Sequence, residues 1–180
     1  MTQIVTADRR DQAVDRALLD ALTEARVTMA ASLPDDWVSA ILRELDAAPS
    51  IDHVRVAREP EIIGLLAGAF LGGARAVGVM GATGFLSCAC ELATLGMKFQ
   101  LPMFLMVSLR GGPYDTQVFQ EVQWRTARRM ADVLDMPSIT LDRPEKLAGL
   151  SMAYEAFRIH KRPYVAWLSK SLLTNSPVMD

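Results

Sequence analysis

The sequence of 180 residues has few of the side chains that build metal centres and disulfide frameworks. It contains two histidines, which are isolated from each other and from any cluster of carboxylates or thiolates, and two cysteines. Cys88 and Cys90 would point to nearly opposite sides of a helix, so neither a disulfide nor a shared metal site follows from them. We therefore expect no metal ligands in this chain. Because disulfides are rare in a reducing compartment, we also expect a cytoplasmic location.

The sequence also lacks an excess of charge and a long apolar run. It has 19 Lys and Arg against 21 Asp and Glu, a net charge of −2. Nucleic-acid binding requires a basic surplus, so we do not expect that partner. Arg75 divides the most apolar stretch into 62–74 and 76–90. Both runs are shorter than the ~18 residues that span a bilayer, and the charged first residues predict no signal peptide. We expect no membrane partner.

The sequence shows a regular alternation of strand and helix patterns. Strands are predicted at 26–30, 53–57, 76–80, 102–108, 138–141 and 164–168. Helices are predicted at 8–25, 36–47, 60–72, 85–97, 116–134 and 144–160. This alternation predicts an α/β fold, a doubly wound and mainly parallel six-stranded sheet with helices on both faces. We expect a single domain over 1–173 and a loose tail at 174–180.

In such a sheet, ligands bind where the carboxyl ends of the strands turn into helices. Those turns are predicted at 31–34, 58–61, 81–84 and 109–112. The glycines of the third turn have the spacing G-x-x-G-x-x-G, which differs from the G-x-G-x-x-G of a dinucleotide site, and no P-loop motif occurs. Because this fold hosts many functions, the fold alone does not identify one.

Glu59 is the unusual residue among these turns. It lies where the second predicted strand ends, just before a very apolar helix that begins at Pro60. One interpretation is a carboxylate that stabilises the start of the helix, a role that Glu61 fills equally well. The other is a carboxyl group, surrounded by apolar residues, that shares a proton with a ligand nitrogen. The residues alone leave both open.

The residues around this helix follow a known pattern. Residues 58–73 read REPEIIGLLAGAFLGG, which is similar to R-E-E-E-x-x-G-x-x-A-G-A-x-L-x-G. With the flanking segments 31–35, 108–111, 135–137 and 161–163, the chain resembles the pyrimidine-binding (Pyr) domain of thiamine diphosphate enzymes. It is most similar to the alpha subunits of sulfopyruvate and phosphonopyruvate decarboxylases. The resemblance covers nearly the whole chain.

The resemblance implies which residues meet the cofactor. The glutamate at the position of Glu59 hydrogen-bonds the ring nitrogen of the aminopyrimidine and thereby promotes formation of the reactive ylid. Thr83, Gly84 and Phe85 would pack against the same ring, with backbone groups reaching its amino nitrogen. Gly84 would permit that approach, although a glycine required only by the turn explains it equally well.

The resemblance also implies a substrate site at the same mouth. Arg110 would bind the carboxylate or the other anionic end of the substrate through paired hydrogen bonds, and a solvent-facing loop arginine is the alternative. Ser32 is a second candidate. The chain departs from the family at 81–87, which reads GATGFLS instead of Q-N/S-S-G-L-G-N, and at Leu109, where a histidine is common. These changes favour a less charged 2-oxo acid than a sulfonate or phosphonate.

The family holds the diphosphate and Mg²⁺ with a G-D-G run and a later Asn, but this chain has no Gly-Asp dipeptide. The resemblance therefore implies a separate beta subunit that holds that half of the cofactor, in an assembly of at least two alpha and two beta chains. Cys88, Leu92 and Leu95 are candidates for the contact, or else core residues.

The implied activity is decarboxylation of a 2-oxo acid. The alternatives are a thiamine diphosphate-dependent C–C lyase or synthase subunit, and a non-catalytic doubly wound binding module.

Overall fold

A computed structural model describes residues 12–113 and 115–174. It contains one six-stranded sheet in the order β2-β1-β3-β4-β6-β5, and every neighbouring pair is parallel. The strands are β1 Met29–Ser32, β2 Asp52–Arg55, β3 Ala76–Gly81, β4 Phe104–Leu109, β5 Ser138–Leu141 and β6 Tyr164–Ser169. The predicted doubly wound α/β architecture is confirmed.

Helices cover both faces of this sheet. They are α1 Gln12–Glu24, α2 Ser39–Ala47, α3 Glu59–Leu71, α4 Ala82–Ser87, α5 Ala89–Glu91, a π-helix Leu92–Lys98, a 3₁₀ turn Val118–Gln120, α6 Glu121–Val133, a 3₁₀ helix Pro144–Gly149, α7 Leu150–His160 and α8 Lys170–Thr174. One core cluster joins α1, α2 and α7 to one face of the sheet. A second joins α3, α4 and α6 to the other. No helix in 12–113 or 115–174 is long and apolar enough to cross a membrane.

The central strands are buried because helices cover them on both sides. All six residues of β4 are buried, as are the first five of β3. Such strands are apolar throughout, without the alternation of a half-exposed strand, which explains the continuous runs in the sequence. The edge strand β2 is mostly exposed and correspondingly polar.

Several predicted boundaries were wrong. β1 begins at Met29 instead of residue 26, because Arg26 takes a left-handed conformation (φ 55°) that ends α1 and reverses the chain. The segment 81–84 is not a turn, since α4 begins at Ala82. The predicted helix 85–97 is divided into α4, α5 and the π-helix.

The ends of the chain also differ from the prediction. Thr174 ends α8, a helix that the sequence patterns did not indicate, so the tail does not begin there. The rest of the predicted tail, 175–180, lies outside the described residues. The start of the first predicted helix, at 8–11, does as well.

Candidate active site

The carboxyl ends of β1, β3 and β4 meet at one edge of the sheet, where the turn after β1 folds over the end of β3. A Cβ built on Gly81 would lie 2.6 Å from Asp35 Oδ2 and 3.7 Å from Ser108 Oγ. Gly81 and Ser108 are register partners on the two strands. The missing side chain at Gly81 therefore makes room for the Asp35 carboxylate at this edge.

Glu59 lies directly against Gly84. It is the first residue of α3, and its side chain is half-buried beside the first turn of α4. A Cβ built on Gly84 would lie 2.3 Å from Glu59 Oε1 and 2.4 Å from Glu59 Cγ, distances at which atoms cannot coexist. The close approach of Glu59 thus requires a glycine at this position. The alternative, a glycine required by a turn, does not apply, because Gly84 lies in a helix.

The two carboxylates at the start of α3 have different surroundings. Glu61 Oε2 accepts the backbone N–H of Ala57 at 3.0 Å and that of Arg58 at 3.4 Å. Glu61 therefore has the capping role that the sequence left open between the two residues. The Glu59 carboxylate makes no hydrogen bond or ion pair within 12–113 and 115–174, which leaves its oxygens available to a ligand.

The neighbours of Gly84 differ in exposure. Thr83 is exposed, whereas Gly84 and Phe85 are buried. The Phe85 ring packs edge-to-face on Trp167, with ring centroids 5.3 Å apart. Since the Phe85 side chain belongs to the core, only its backbone remains for a ligand. All three residues lie in α4 and not in the predicted turn.

Cys88 is part of the packing beneath this site. Its Sγ lies 3.3 Å from the carbonyl oxygen of Gly84. Burial, helped by the charges of Glu59 and Glu91, raises the pKa of the thiol to about 12. Cys88 is therefore a neutral buried side chain. Leu92 is fully buried as well. Cys88 and Leu92 are therefore core residues, as one interpretation predicted, and they are not available for contact with a partner. Leu95 is partly buried and packs against the same core.

Arg110 is buried instead of facing solvent, with only 2% of its surface exposed. Its Nε and Nη2 donate to Asp115 Oδ2 and Oδ1 at 2.6 and 2.7 Å. Its guanidinium carbon lies 3.3 Å from the centre of the Trp37 ring, a cation–π contact. The solvent-facing alternative is wrong, and the paired donors predicted to bind substrate are occupied. Nη1 is buried and has no hydrogen-bond partner among the described residues.

Asp115 is the anion that fixes this arginine. Burial acts to raise the pKa of the Asp115 carboxyl, but the Arg110 hydrogen bonds and the N–H groups of Gly111 and Gln117 outweigh it and lower the pKa to about 2. The Asp115 carboxyl is therefore ionised at neutral pH. The pair joins the segment after β4 to the turn after β1, because Trp37 stacks on the same guanidinium.

Ser32 belongs to a hydrogen-bonded chain that sequence analysis missed. Its Oγ is 2.7 Å from His53 Nε2, and His53 Nδ1 is 2.7 Å from Asp46 Oδ1. Arg55 donates a further hydrogen bond to Asp46. Periodicity placed these residues on different elements, and no local motif links them. The contact arises only from the pairing of β1 with β2 beneath α2.

No protein-family model matches this sequence. The "Sulfopyruvate decarboxylase subunit alpha" of Methanocaldococcus jannaschii is 26% identical over 148 residues, 82% of this chain and 87% of that protein. The protein of the same name from Methanothermobacter thermautotrophicus is 30% identical over 132 residues, 73% of this chain and 78% of that protein. The "Phosphonopyruvate decarboxylase" of Streptomyces viridochromogenes is 24% identical over 166 residues, 91% of this chain but 42% of that protein.

Among solved structures, the fold is similar to that of a 2-oxoglutarate:ferredoxin oxidoreductase from Magnetococcus marinus. The TM-score is 0.65 at 13% identity, over 89% of this chain and 29% of that one. At this identity the likeness concerns the fold alone.

Proposed function

Because this chain belongs to the family of sulfopyruvate decarboxylase alpha subunits, we propose that it is the pyrimidine-binding subunit of a thiamine diphosphate-dependent 2-oxo acid decarboxylase. The family assignment rests on 30% identity over 73% of the chain. The single observation that carries the proposed role is the Glu59 carboxylate, which lies against Gly84 with no protein partner in the described ranges.

The site suits the aminopyrimidine half of the cofactor. Glu59 offers a half-buried carboxyl oxygen, and Gly84 leaves the space beside it without a side chain. Ile62 and Ile63, three and four residues further along α3, are fully buried in the apolar core beneath this helix. We infer that the backbone of Thr83, Gly84 and Phe85 would contact the same ring.

Thiamine diphosphate, when bound, supplies the carbanion chemistry of decarboxylation. In this proposal Glu59 holds a proton between its carboxyl oxygen and the ring nitrogen, as a general acid–base group. Because Glu61 caps the start of α3, the Glu59 carboxylate is not needed for capping and can bind the cofactor.

The diphosphate half does not suit this chain. The sequence has no Gly-Asp dipeptide, and the described ranges contain no group of three or more His, Cys, Asp or Glu residues suited to a metal ion. The two sulfopyruvate decarboxylase relatives are named alpha subunits. We therefore propose that a beta subunit holds the diphosphate and Mg²⁺ in an assembly of at least two alpha and two beta chains. The exposed apolar residues Val118, Phe119 and Val122 offer such a partner a surface to bury.

The substrate proposed here is a 2-oxo acid with a less charged tail than sulfopyruvate. Asp115 neutralises Arg110, which keeps one unpartnered donor, Nη1, for a carboxylate. Leu109 next to it is buried and apolar. Ser32 remains a second candidate at this mouth. Comparing kcat/KM for sulfopyruvate with that for a 2-oxo acid with an alkyl tail tests the preference, and a higher value for sulfopyruvate would contradict it.

Replacing Glu59 with Gln in the complex with the beta subunit tests the proposed function. We expect kcat for 2-oxo acid decarboxylation to fall by ~100-fold or more, because the amide cannot exchange the proton. Glu61→Gln, two residues away, is the matched control: the Gln carbonyl oxygen still accepts the capping hydrogen bonds, so only the charge interaction with the helix dipole is lost, about 0.3–1 kcal/mol of stability, with kcat unchanged.

Full activity of Glu59→Gln would remove the assignment and favour the non-catalytic module. Product analysis with and without an added aldehyde separates the decarboxylase from the lyase or synthase alternative.

A further inference from the structure

The start of α4 is the place where two carboxylates from other parts of the chain meet. Gly81 caps this helix, and Gly84 is the third residue within it. A Cβ built on Gly81 would lie 2.6 Å from Asp35 Oδ2, and one built on Gly84 would lie 2.3 Å from Glu59 Oε1. These two positions of a helix are neighbours in space, as the capping box shows. Asp35 and Glu59 therefore lie at one site, in the space that two glycines leave open.

The position of the Asp35 carboxylate is fixed by the turn after β1. Asp35 Oδ1 accepts the backbone N–H of Trp37 at 2.9 Å, and the Asp35 carbonyl oxygen accepts that of Val38 at 3.1 Å. The Trp37 ring in turn stacks on the buried Arg110, after β4. The turn is thereby attached to a neighbouring strand end, and it holds the half-buried Asp35 side chain over the end of β3.

Two cations at the same edge of the sheet are engaged by a different carboxylate. Arg110 is paired with Asp115 through two hydrogen bonds. Lys170 follows β6, which lies on the other side of β4 from β3, and its Nζ is 4.0 Å from Asp115 Oδ1. The positive charges are thus directed to Asp115, whereas Asp35 and Glu59 bring two negative charges to the end of β3.

A substrate that reaches the proposed cofactor site enters the field of these carboxylates. In the proposed function Glu59 shares a proton with the pyrimidine ring, so Asp35 is the carboxylate that remains to act on the substrate. Every 2-oxo acid carries a negative charge on its carboxylate, and sulfopyruvate carries another on its tail. We propose that Asp35 is a specificity-determining residue, whose negative charge disfavours 2-oxo acids with an anionic tail. This inference rests on the proposed function, because that function defines the substrate class.

The effect does not require contact between Asp35 and the substrate. Like charges repel over several ångströms, and binding sites often obtain specificity by repelling the wrong ligand. Two unit charges about 8 Å apart should reduce binding roughly 2-fold at the dielectric constant of water, and about 30-fold at the value of about 20 that is typical near a protein surface. We expect an effect of about tenfold, between these limits.

Substrates of matched shape isolate the charge of the tail. Sulfopyruvate is compared with its analogue in which a neutral tert-butyl group replaces the sulfonate, so that both keep the same 2-oxo acid group. In the complex with the beta subunit, Asp35→Asn should raise the ratio of kcat/KM for sulfopyruvate to that for the analogue by about tenfold, mainly through KM. The asparagine side-chain oxygen still accepts the Trp37 N–H, so the turn is kept.

Asp36, next in the chain and exposed, gives the matched control. Asp36→Asn should change the ratio by less than about twofold, because solvent and salt screen an exposed charge. Salt also provides a measurement that needs no variant. Raising NaCl from about 0.05 M to about 0.5 M should raise the ratio in the wild type, because screening weakens the repulsion, and should change it little in Asp35→Asn.

Calorimetric titration of the complex measures the same preference without turnover. The ligands are sulfopropanoate, which lacks the oxo group of sulfopyruvate, and its tert-butyl analogue. Asp35→Asn should strengthen the binding of sulfopropanoate about tenfold relative to that of the analogue. A kcat/KM ratio that is the same in the wild type and in Asp35→Asn would overturn the inference and leave the proposed function intact. A wild-type complex that decarboxylates no 2-oxo acid would instead overturn the proposed function, and the inference with it.

Discussion

At Gly84, the volume of a side chain is occupied by the Glu59 carboxyl group. Gly84→Ala would place a Cβ 2.3 Å from Oε1, so Glu59 must move. Because a displacement of about 1 Å at a reacting group can cost about 100-fold, we expect kcat of the complex to fall by that order. Steady-state decarboxylation assays measure the loss.

The same helix pair offers a control for this substitution. Gly64, inside α3, has nothing within 4 Å of a built Cβ. Gly64→Ala should therefore leave kcat unchanged and raise the free energy of unfolding by about 0.5–1 kcal/mol, because alanine restricts the unfolded chain and favours the helix. Equal losses of kcat in both variants would show that α3, and not the contact with Glu59, is responsible.

The buried ion pair of Arg110 and Asp115 is a second site where a single substitution should change the stability of the protein. Asp115→Asn leaves the buried Arg110 charge uncompensated, so we expect a loss of about 3 kcal/mol in the free energy of unfolding at pH 7. Asp36→Asn, at an exposed position in the turn after β1, should change it by less than about 0.5 kcal/mol. Urea denaturation of the complex at pH 7 measures both.

The pH dependence of this pair has a definite sign. The folded state lowers the pKa of Asp115 from 3.8 to about 2. Its ionised form therefore adds stability that is present above the unfolded pKa and is lost as the pH falls through the folded one. In Asp115→Asn, the free energy of unfolding should therefore lack the decrease that Asp115 causes in the wild type between about pH 5 and pH 2. An unchanged acid transition would contradict the assignment.

At the scale of elements, the alternation of patterns predicted six strands in the correct sequence order, because a buried parallel strand has a distinctive apolar run. β5 matches its predicted bounds, 138–141. Periodicity does not report where the backbone leaves its regular conformation, so the left-handed Arg26 and the break after α4 were missed. At the site, the resemblance predicted roles for Glu59 and Gly84, which the structure brings together, whereas the hydrogen bond between His53 and Asp46 required the three-dimensional packing.

The π-helix packs closely against the loop before β6 at Gly96. A Cβ built on Gly96 would lie 2.3 Å from Pro163 Cγ and 3.2 Å from its Cδ. Because the proline ring is rigid, Gly96→Ala should force the π-helix away and lower the free energy of unfolding by about 1–3 kcal/mol. Thermal denaturation measures this, with Gly68→Ala as the control, since a Cβ there meets nothing within 4 Å. Equal melting temperatures for the two variants would contradict the packing argument.

At the scale of the whole molecule, the site for the cofactor is divided between two chains in this proposal. This chain offers the pyrimidine one carboxylate and the backbone of α4, and the described ranges offer no cluster of ligands to Mg²⁺. A hydrogen bond to a charged group contributes about 1.5–3 kcal/mol. A dissociation constant of 1 mM requires about 4.1 kcal/mol, so the chain by itself should bind thiamine diphosphate more weakly than about 1 mM.

Isothermal titration of thiamine diphosphate with Mg²⁺ tests this division of the site. We expect no measurable heat with the alpha chain alone and saturable binding with the complex. Thiamine without its diphosphate is the control ligand, because it keeps the pyrimidine contacts and lacks the charged end that the beta subunit would hold. Thiamine should therefore bind the complex far more weakly than thiamine diphosphate does. Glu59→Gln should reduce the affinity for both ligands by the same factor, because both keep the pyrimidine contact. Micromolar binding of thiamine diphosphate to the alpha chain alone would mean that this chain holds the diphosphate itself, and would contradict the two-subunit site.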